Sequence, residues 1–386
     1  MKKQLTSKVS SEIEVPQAAR EDVKSDWQRV VRRRSFLKGL GAASATLPAA
    51  ALLTNQGKAA SGRLTRGDVA ILRFLAAAEL IESDLWQQYN ELGGVTGGNA
   101  AYQLALQNLD GDMPQYISDN TDDEISHANF LNAYLKSKGE EQVNLDQFRR
   151  LPGSQAAGAD PKLQNKRLTN LLKLNVDTSW WTRYRSGNQN PDLGDSFPNA
   201  VPTLASGKFP AIPRNNAELG IGVTTLPVDN HVQAIANTAG FHFGFIEQGG
   251  TSLYAAMAQK VTSLEVMRVV LSIGGTEIMH FQTWHDKAGN AKPLTDGALV
   301  FPDLTTNKPQ PESLQSNLIM PEPTVFLSKK FPVCSIIRPT AKKAIAMSIV
   351  NDFRKDGLFI GQTPDFLEFF EGLAQEADAA ERELER

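Results

Sequence analysis

The chain has 386 residues, of which 41% are hydrophobic and 22% are charged, as in an ordinary soluble globular protein. This length allows one large domain or two ordinary ones. The formal net charge of −3 gives no electrostatic basis for binding nucleic acid. Cys334 is the only cysteine, so an intrachain disulfide is excluded and any metal site must use nitrogen and oxygen ligands.

The first recognisable segment is a pair of arginines, Arg33 and Arg34, followed by Phe36 and Leu37 in the sequence RRSFLK. The next stretch, GLGAASATLPAAALL, is mildly apolar and too short to span a membrane. Small residues near 59–60 suit a signal peptidase. Residues 1–60 therefore resemble a twin-arginine export signal, which implies a partner in the twin-arginine export machinery and a periplasmic or other extracytoplasmic location. Cleavage would leave no stable membrane anchor; an uncleaved basic amphipathic anchor is the alternative.

Four long helical patterns follow, each with apolar residues three and four positions apart. They predict helix A at 68–90, helix B at 114–136, helix C at 230–259 and helix D at 263–286. Asp229 is expected to cap helix C, and TSLE at 262–265 has the pattern of a capping box for helix D. A last helix is predicted from 363 onward, with Thr363 as its cap and Pro364 in its first turn.

The region between helices B and C is unusually long for a loop, and it predicts either a functional cover or an elaborated crossover. Its first part, KRLTNLLKLNVDTSWWTRYR, is expected to be partly helical, with Trp180 and Trp181 as core residues rather than a substrate platform. We predict three regions in total. They are an export signal at 1–60, a helical domain at 61–290 with its insert at about 140–228, and a proline-rich segment with C-terminal helices at 291–386.

Helix D carries Glu277 and His280, three residues apart, on the side where its apolar residues lie. A buried carboxylate there needs a partner, because an unpaired buried charge costs several kcal/mol or is neutralised. Helix B repeats the spacing with Glu124 and His127, so each pair can hold one ion from one side. The competing interpretation of Glu124 is a capping box with Thr121, but Pro114 offers helix B an earlier start.

Helices C and A each supply a glutamate with an aromatic residue seven positions later. Helix C has Glu247 followed by Tyr254, and helix A has Glu79 followed by Trp86. Glu82 is the alternative to Glu79, since a tyrosine also follows it by seven positions. The resulting order is Glu, E-x-x-H, Glu, E-x-x-H, one contribution from each helix, which is the arrangement of dinuclear carboxylate centres in four-helix bundles.

The segments DEISHANFLNAYL in helix B and EQGGTSLYAAM in helix C carry a resemblance to the ferritin-like superfamily. The closest likeness is to exported bacterial ferritin-like proteins and plant desiccation-related proteins, and it covers residues 68–137 and 229–287. The resemblance implies an all-α, ferritin-like four-helix bundle with a long B–C crossover. It also implies a centre of two iron ions, or alternatively manganese. It does not fix the reaction, because ferritin-like folds host many functions.

The expected chemistry is oxidation of iron or of a small reductant at the metal pair, with oxygen or peroxide as the small-molecule substrate. Two other functions stay open: a dimanganese catalase-like enzyme, and a non-enzymatic stress or desiccation protein with a structural metal. Trp86 and Tyr254 are predicted to support the ligands or to carry oxidising equivalents. A homo-oligomer is one option for the assembly. We expect His231, His242 and His285 to be surface or satisfied core residues.

Overall fold

The computed structural model describes residues 64–184, 196–219, 228–305, 318–319, 334–335 and 344–383. These residues belong to one structural unit, 63–386, and are predominantly helical, so the prediction of an all-α protein is confirmed at this level. The predicted export signal lies outside the described residues. Among the helices that are described, none combines the length and the apolar character needed to cross a membrane.

The helices of the described residues are α1 (Arg66–Gly93), α2 (Ala100–Gln107), α3 (Met113–Ser137), α4 (Ser179–Tyr184), α5 (Pro202–Ser206), α6 (Asn230–Ala258), α7 (Leu264–Ala288), α8 (Ile345–Asp356) and α9 (Pro364–Ala379). Helices α1, α3, α6 and α7 correspond to the predicted helices A to D. Helix α1 packs along α3, and α6 packs along α7. Two strand pairs are antiparallel: β1 (Leu294–Asp296) with β2 (Leu299–Phe301), and β3 (Leu318–Ile319) with β4 (Cys334–Ser335).

Side-chain caps fix where the long helices begin. Thr65 caps α1, Asp229 caps α6 and Thr363 caps α9, each accepting a hydrogen bond from a backbone N–H of the first turn. The predicted capping box before α7 is wrong by one residue, because Ser263 and not Thr262 accepts from Val266 N. The reason is long-range: the backbone N–H groups of both residues donate to the buried carboxylate of Asp68 at the start of α1.

The alternative role of Thr121 as a helix cap is also excluded. Thr121 lies inside α3, where its hydroxyl donates to the carbonyl of Ile117 at 2.7 Å. The helix begins earlier, at Met113, with Pro114 in its first turn, where a missing N–H costs nothing. Glu124 is therefore an interior residue of α3 and has no capping role.

Helix α1 is buried on nearly all of its sides, which its sequence signals with ILRFLAAAELI. It also packs against the C-terminal helix α9, where Phe74 stacks on Phe370 with ring centroids 5.4 Å apart. Helix α9 also packs against α8. The C-terminal helix α9 thus adds apolar side chains to the core around α1.

The insert between α3 and α6 is mostly irregular, and the helix expected at 166–185 forms only at Ser179–Tyr184. Long-range hydrogen bonds replace the rest of it. The buried carboxylate of Asp84 on α1 accepts from the backbone N–H groups of Leu168 and Thr169, both at 3.0 Å. Leu174 pairs with Phe209 through backbone hydrogen bonds in both directions. Trp180 and Trp181 are buried, as expected of core residues.

Candidate metal centre

Six residues that the sequence singled out meet between the four long helices. They are Glu79 on α1, Glu124 and His127 on α3, Glu247 on α6, and Glu277 and His280 on α7. All are buried, and only the two histidines retain any appreciable exposure, 8% each. The three-residue spacing on α3 and α7 directs both members of each pair to the same side of the helix.

The six side chains form two overlapping groups, each able to hold one metal ion. Glu79, Glu124, His127 and Glu277 make the first group, and Glu124, Glu247, Glu277 and His280 make the second. In each group the ligand atoms lie within 4.8 Å of one another. Glu124 and Glu277 belong to both groups, so they occupy the positions of shared carboxylates, whereas Glu79 and Glu247 each belong to one group.

Both imidazole rings turn Nδ1 toward the carboxylates. His127 Nδ1 lies 3.1 Å from Glu124 Oε2 and 3.4 Å from both Glu79 Oε2 and Glu277 Oε1. His280 Nδ1 lies 3.0 Å from Glu124 Oε1 and 3.3 Å from Glu247 Oε2. The other nitrogen of His280 pairs with Asp123 Oδ2 at 3.1 Å. A carboxylate on the second nitrogen is the usual way in which a metal-binding histidine is oriented.

The two unshared glutamates are held in the same manner. Glu79 Oε1 accepts a hydrogen bond from the Tyr254 hydroxyl, while Glu79 Oε2 accepts none within the described residues. Glu247 Oε1 accepts from Asn120 Nδ2 at 3.0 Å, and Glu247 Oε2 likewise accepts none there. Each carboxylate thus has one oxygen fixed by a neighbour and one oxygen left to face the cluster.

The shared position of Glu277 is even less satisfied by protein groups. Neither of its carboxylate oxygens accepts a hydrogen bond from the described residues, and His280 Nδ1 is close to its neighbours without hydrogen-bond geometry. Buried polar atoms without hydrogen bonds are rare in folded proteins and each one costs about 1–3 kcal/mol, which within the described residues only the ion-pair contact of Glu277 Oε1 with His127 Nδ1 at 3.4 Å offsets. A cation bound by these oxygen and nitrogen atoms would remove that cost, so the residues fit a metal centre.

The electrostatics of the group point in the same direction. Burial and the nearby Glu247 raise the pKa of Glu124 to about 7, and burial and Glu124 raise the pKa of Glu277 well above its ordinary value. Burial lowers the pKa of both histidines, but the surrounding carboxylates outweigh it and the net shift is upward. These shifts favour the protonated forms of the carboxylates and imidazoles. A bound cation would favour the deprotonated forms instead, because it supplies positive charge of its own.

Asn120 links the two halves of the cluster, and sequence reasoning missed it. Its Nδ2 donates to Glu124 Oε1 at 2.8 Å as well as to Glu247, and its Oδ1 accepts from Trp284 Nε1 at 2.7 Å. Asn120 stands one turn before Glu124 on α3, so it shares the same side of the helix. That position was the only available signal, because the contact with α6 joins residues distant in sequence. Asp123 was missed for the same reason.

Gly250 allows α6 to approach the centre. A Cβ atom at this position would overlap Glu277 Oε2, so any larger residue would displace the shared carboxylate. The sequence offered a partial hint, since Gly250 follows Glu247 by three residues and lies on the same side of α6.

Glu82 lies in the same buried region but outside both groups of candidate ligands. Burial, followed by the charges of Glu277 and Glu124, raises the pKa of Glu82 well above its ordinary value. Trp86, the other supporting residue predicted on α1, stacks on Trp284 with ring centroids 5.4 Å apart. That Glu79 rather than Glu82 is the ligand stays a prediction. The geometry favours Glu79, because only Glu79 belongs to a ligand group.

The remaining histidines lie apart from the cluster. His242 is fully buried between Tyr89 and Asp356, and His231 is half-buried beside Asp296. His285 is buried among aromatic residues of the insert and α7.

Comparison with known proteins adds no identification. No family model, no curated protein and no solved structure matches this chain.

Proposed function

We propose that the chain is a ferritin-like protein whose four long helices form a four-helix bundle around a dinuclear centre of iron, or alternatively manganese. The observation that carries this proposal is the pair of overlapping ligand groups that share Glu124 and Glu277. Four buried carboxylates and two imidazoles suit ions of intermediate hardness. Four negative charges also balance two divalent ions in a water-poor core.

The residues divide the work of holding such a centre. Glu79 and His127 would bind one ion, Glu247 and His280 the other, and Glu124 and Glu277 both. Tyr254, Asn120 and Asp123 would orient the ligands through the hydrogen bonds that they already make. Two adjacent redox-active ions bound by these residues would supply electrons to oxygen or peroxide, which is the chemistry that we propose for this protein.

Access to the cluster favours a small substrate. The side chains of the four glutamates are at most 1% exposed, whereas those of His127 and His280 are 10% and 9% exposed. His127 lies on α3 and His280 on α7, and Asp123, next to Glu124 on α3, is half exposed. A metal ion, oxygen or peroxide can approach between these two helices, while a larger reductant would have to deliver electrons from the surface.

Metal analysis of the full chain purified from its own host, without added metal, tests the centre. We expect about two ions of iron or manganese per chain, as in other dinuclear sites of this ligand type. The Glu277→Ala, His280→Ala double variant should lose them. Full metal occupancy in that double variant would rule out the site.

Two activity measurements on the loaded protein then separate the functions. Oxygen-dependent oxidation of added ferrous iron, or consumption of peroxide with a reductant, supports the proposed redox role. Peroxide disproportionation by a manganese-loaded protein that ignores ferrous iron would instead identify a catalase-like enzyme. Bound metal with neither activity would identify a structural metal.

We also propose that the protein acts outside the cytoplasm, after export by the twin-arginine route. The support is the sequence around Arg33 and Arg34 and the short apolar stretch that follows it. This route carries folded proteins, so the metal could be inserted before export.

A further inference from the structure

A second group of buried, hydrogen-bonded polar residues lies on the far side of the aromatic rings that neighbour the metal ligands. The hydroxyl of Tyr89 on α1 is 2.6 Å from His242 Nδ1 on α6, and His242 Nε2 is 2.9 Å from Asp356 Oδ2 at the end of α8. Tyr89 and His242 are fully buried and Asp356 is 1% exposed. We call these three residues the tyrosine relay; none of them belongs to either ligand group.

The protons of the relay can be placed when Asp356 is taken as ionised beside His242. An ionised Asp356 can only accept, so His242 Nε2 carries the proton that it donates to Asp356. His242 Nδ1 is then the acceptor for the Tyr89 hydroxyl, a tautomer that we infer from the network. Burial raises the pKa of Tyr89 well above its ordinary value, so the phenol keeps its proton. Burial also raises the pKa of Asp356, an effect that His242 partly offsets.

Two aromatic rings and the amide of Asn120 lie between the relay and the metal ligands. Trp284 donates to Asn120, which in turn donates to Glu124 and Glu247. The ring of Trp284 stacks on that of Trp86 at 5.4 Å, and Trp86 lies 5.7 Å from Tyr89.

Phe243 fills the space between these rings. Its ring centroid is 4.8 Å from Trp86, 4.7 Å from Trp284 and 4.6 Å from Tyr89. These contacts form a continuous series of rings from Tyr89 to Trp284, which provides a path for an electron.

We propose that Tyr89 is a one-electron donor to the metal centre and that its proton passes to His242 as the electron leaves. The phenolic O–H bond breaks and an N–H bond forms at His242 Nδ1, which leaves a neutral tyrosyl radical and an imidazolium beside Asp356. The electron would pass through Trp86 and Trp284 to a metal pair held by the two ligand groups, and that pair, once oxidised by peroxide, would be reduced by one electron. This inference rests on the proposed function for its oxidant.

Tyr89 differs from two other buried tyrosines in having a proton acceptor that is not a candidate metal ligand, since the hydroxyl of Tyr254 donates to Glu79. A phenol that loses an electron becomes a strong acid, and in a buried site its proton needs a base within hydrogen-bond reach. Tyr102 is equally buried, but its hydroxyl donates to the carbonyl of Ala211 at 2.6 Å, which cannot take up a proton. Tyr102 therefore offers a matched control.

The test uses the full chain loaded with ferrous iron, treated with hydrogen peroxide and frozen within seconds for electron paramagnetic resonance. We expect a tyrosyl radical, identified by its altered splitting when the protein contains ring-deuterated tyrosine. Tyr89→Phe should lose this signal while keeping its bound iron, because phenylalanine preserves the ring contacts. Tyr102→Phe should retain the signal.

A substitution of His242, the proposed proton acceptor, tests whether proton transfer accompanies the loss of the electron from Tyr89. His242→Gln keeps an acceptor for the Tyr89 hydroxyl but cannot become a cation, so the radical signal should be lost although Tyr89 is still present. A signal of unchanged intensity in folded His242→Gln would show that His242 only positions the ring, and it would overturn the proposed proton transfer.

The outcomes also separate this inference from the proposed function. Bound iron with no radical, or with a radical that survives Tyr89→Phe, overturns the role of Tyr89 and leaves the metal centre intact. If the chain binds no metal, the proposed function fails, and photogenerated tris(bipyridine)ruthenium(III) replaces peroxide as the oxidant. A Tyr89-dependent radical would then still identify the relay as a proton-coupled electron donor, and its absence would overturn it.

Discussion

Gly250 on α6 lies directly against the shared carboxylate of Glu277 on α7, so that a Cβ atom at Gly250 would overlap Glu277 Oε2. Glu277 belongs to both ligand groups and receives no hydrogen bond from the described residues that would fix its position. The spacing between α6 and α7 therefore decides where this carboxylate stands, and the absence of a side chain at Gly250 is part of the candidate site.

Replacing Gly250 with alanine should reduce metal binding in both groups. The added methyl group displaces a flexible carboxylate, so the helices remain packed while Glu277 moves out of place. The matched control is Gly249→Ala, whose Cβ would make an ordinary contact of 3.6 Å with Ile349. In the control we expect full metal content and a gain of about 0.5–1 kcal/mol in stability from helix propensity. Metal content that is equal in the two variants would contradict the role of Gly250.

Variants of the unshared glutamates should each affect a different ion. Glu79→Gln should lose the ion of the first group, and Glu247→Gln the ion of the second, each leaving about one ion per chain. Glu277→Ala should lower both, because Glu277 belongs to both groups. Metal analysis together with thermal unfolding measures these effects, since metal binding stabilises the folded state.

Glu82→Gln is the control on α1, and it also decides between the two candidate ligands of that helix. Glu82 lies outside both ligand groups and its burial raises the carboxyl pKa, which favours the neutral form, so a neutral amide of the same shape should leave both ions bound. The reverse pattern, with metal loss in Glu82→Gln and none in Glu79→Gln, would show that the ligand side of α1 is assigned to the wrong glutamate.

The sequence predicts the helices and candidate ligands well where the signal is local. Glu124 with His127 and Glu277 with His280 stand out because a three-residue spacing within an apolar helix face is visible in the sequence alone. The first residues of α6 and α9 were also predictable, since Asp229 and Thr363 are local N-caps.

Contacts between distant segments were not predictable in this way. The insert forms the expected helix only at Ser179–Tyr184, and at its start the backbone N–H groups of Leu168 and Thr169 donate to Asp84, far away on α1. Asn120 and Glu247 are separated by 127 residues, and His242 and Asp356 by 114. Periodicity describes which side of a helix is buried, but it does not say which residue of another helix lies opposite.

The metal-free and metal-loaded proteins should respond to pH in opposite ways. The pKa of Glu124 is raised from 4.5 to about 7 in the folded state, so the metal-free fold binds protons more tightly than the unfolded chain. Its stability should therefore fall as pH rises through this window, and the raised pKa values of His127 and His280 extend the fall to higher pH.

Metal binding reverses the trend, because the carboxylates must lose their protons before they bind a cation. The stabilisation by added metal should grow from pH 5 to pH 8, as measured by thermal unfolding with and without metal. Glu124→Gln removes one titrating group and should flatten the metal-free curve. A metal-free protein whose stability rises with pH over this range, unchanged by Glu124→Gln, would be inconsistent with these pKa shifts.

Export is tested by replacing Arg33 and Arg34 with lysine. Because the twin-arginine machinery recognises the arginine pair itself, the double variant should accumulate in the cytoplasm as unprocessed precursor. Cell fractionation with immunodetection of the chain measures this outcome. Normal export of the double variant would show that residues 1–60 are not a twin-arginine signal. The wild-type chain serves as the control for processing.

Asn120 should matter for metal affinity more than for folding. Its amide holds one oxygen of Glu124 and one of Glu247, and its carbonyl accepts from Trp284, so Asn120→Ala frees both carboxylates and leaves a buried indole N–H unpaired. Supporting residues of this kind typically change metal affinity by about 10–100-fold. We also expect a loss of about 1–3 kcal/mol in the metal-free protein from the unpaired groups.

Asn132 on the same helix provides the matched control. It is half-buried and its amide both donates to and accepts from the backbone of Val143, so Asn132→Ala loses two hydrogen bonds away from the ligands, compared with three in Asn120→Ala. Competition with a coloured chelator measures metal affinity, and chemical denaturation of the metal-free proteins measures stability. We expect both variants to be destabilised and only Asn120→Ala to release its metal more readily. If the two variants lose metal affinity equally, the effect comes from a weakened fold, and Asn120 has no role in orienting the carboxylates.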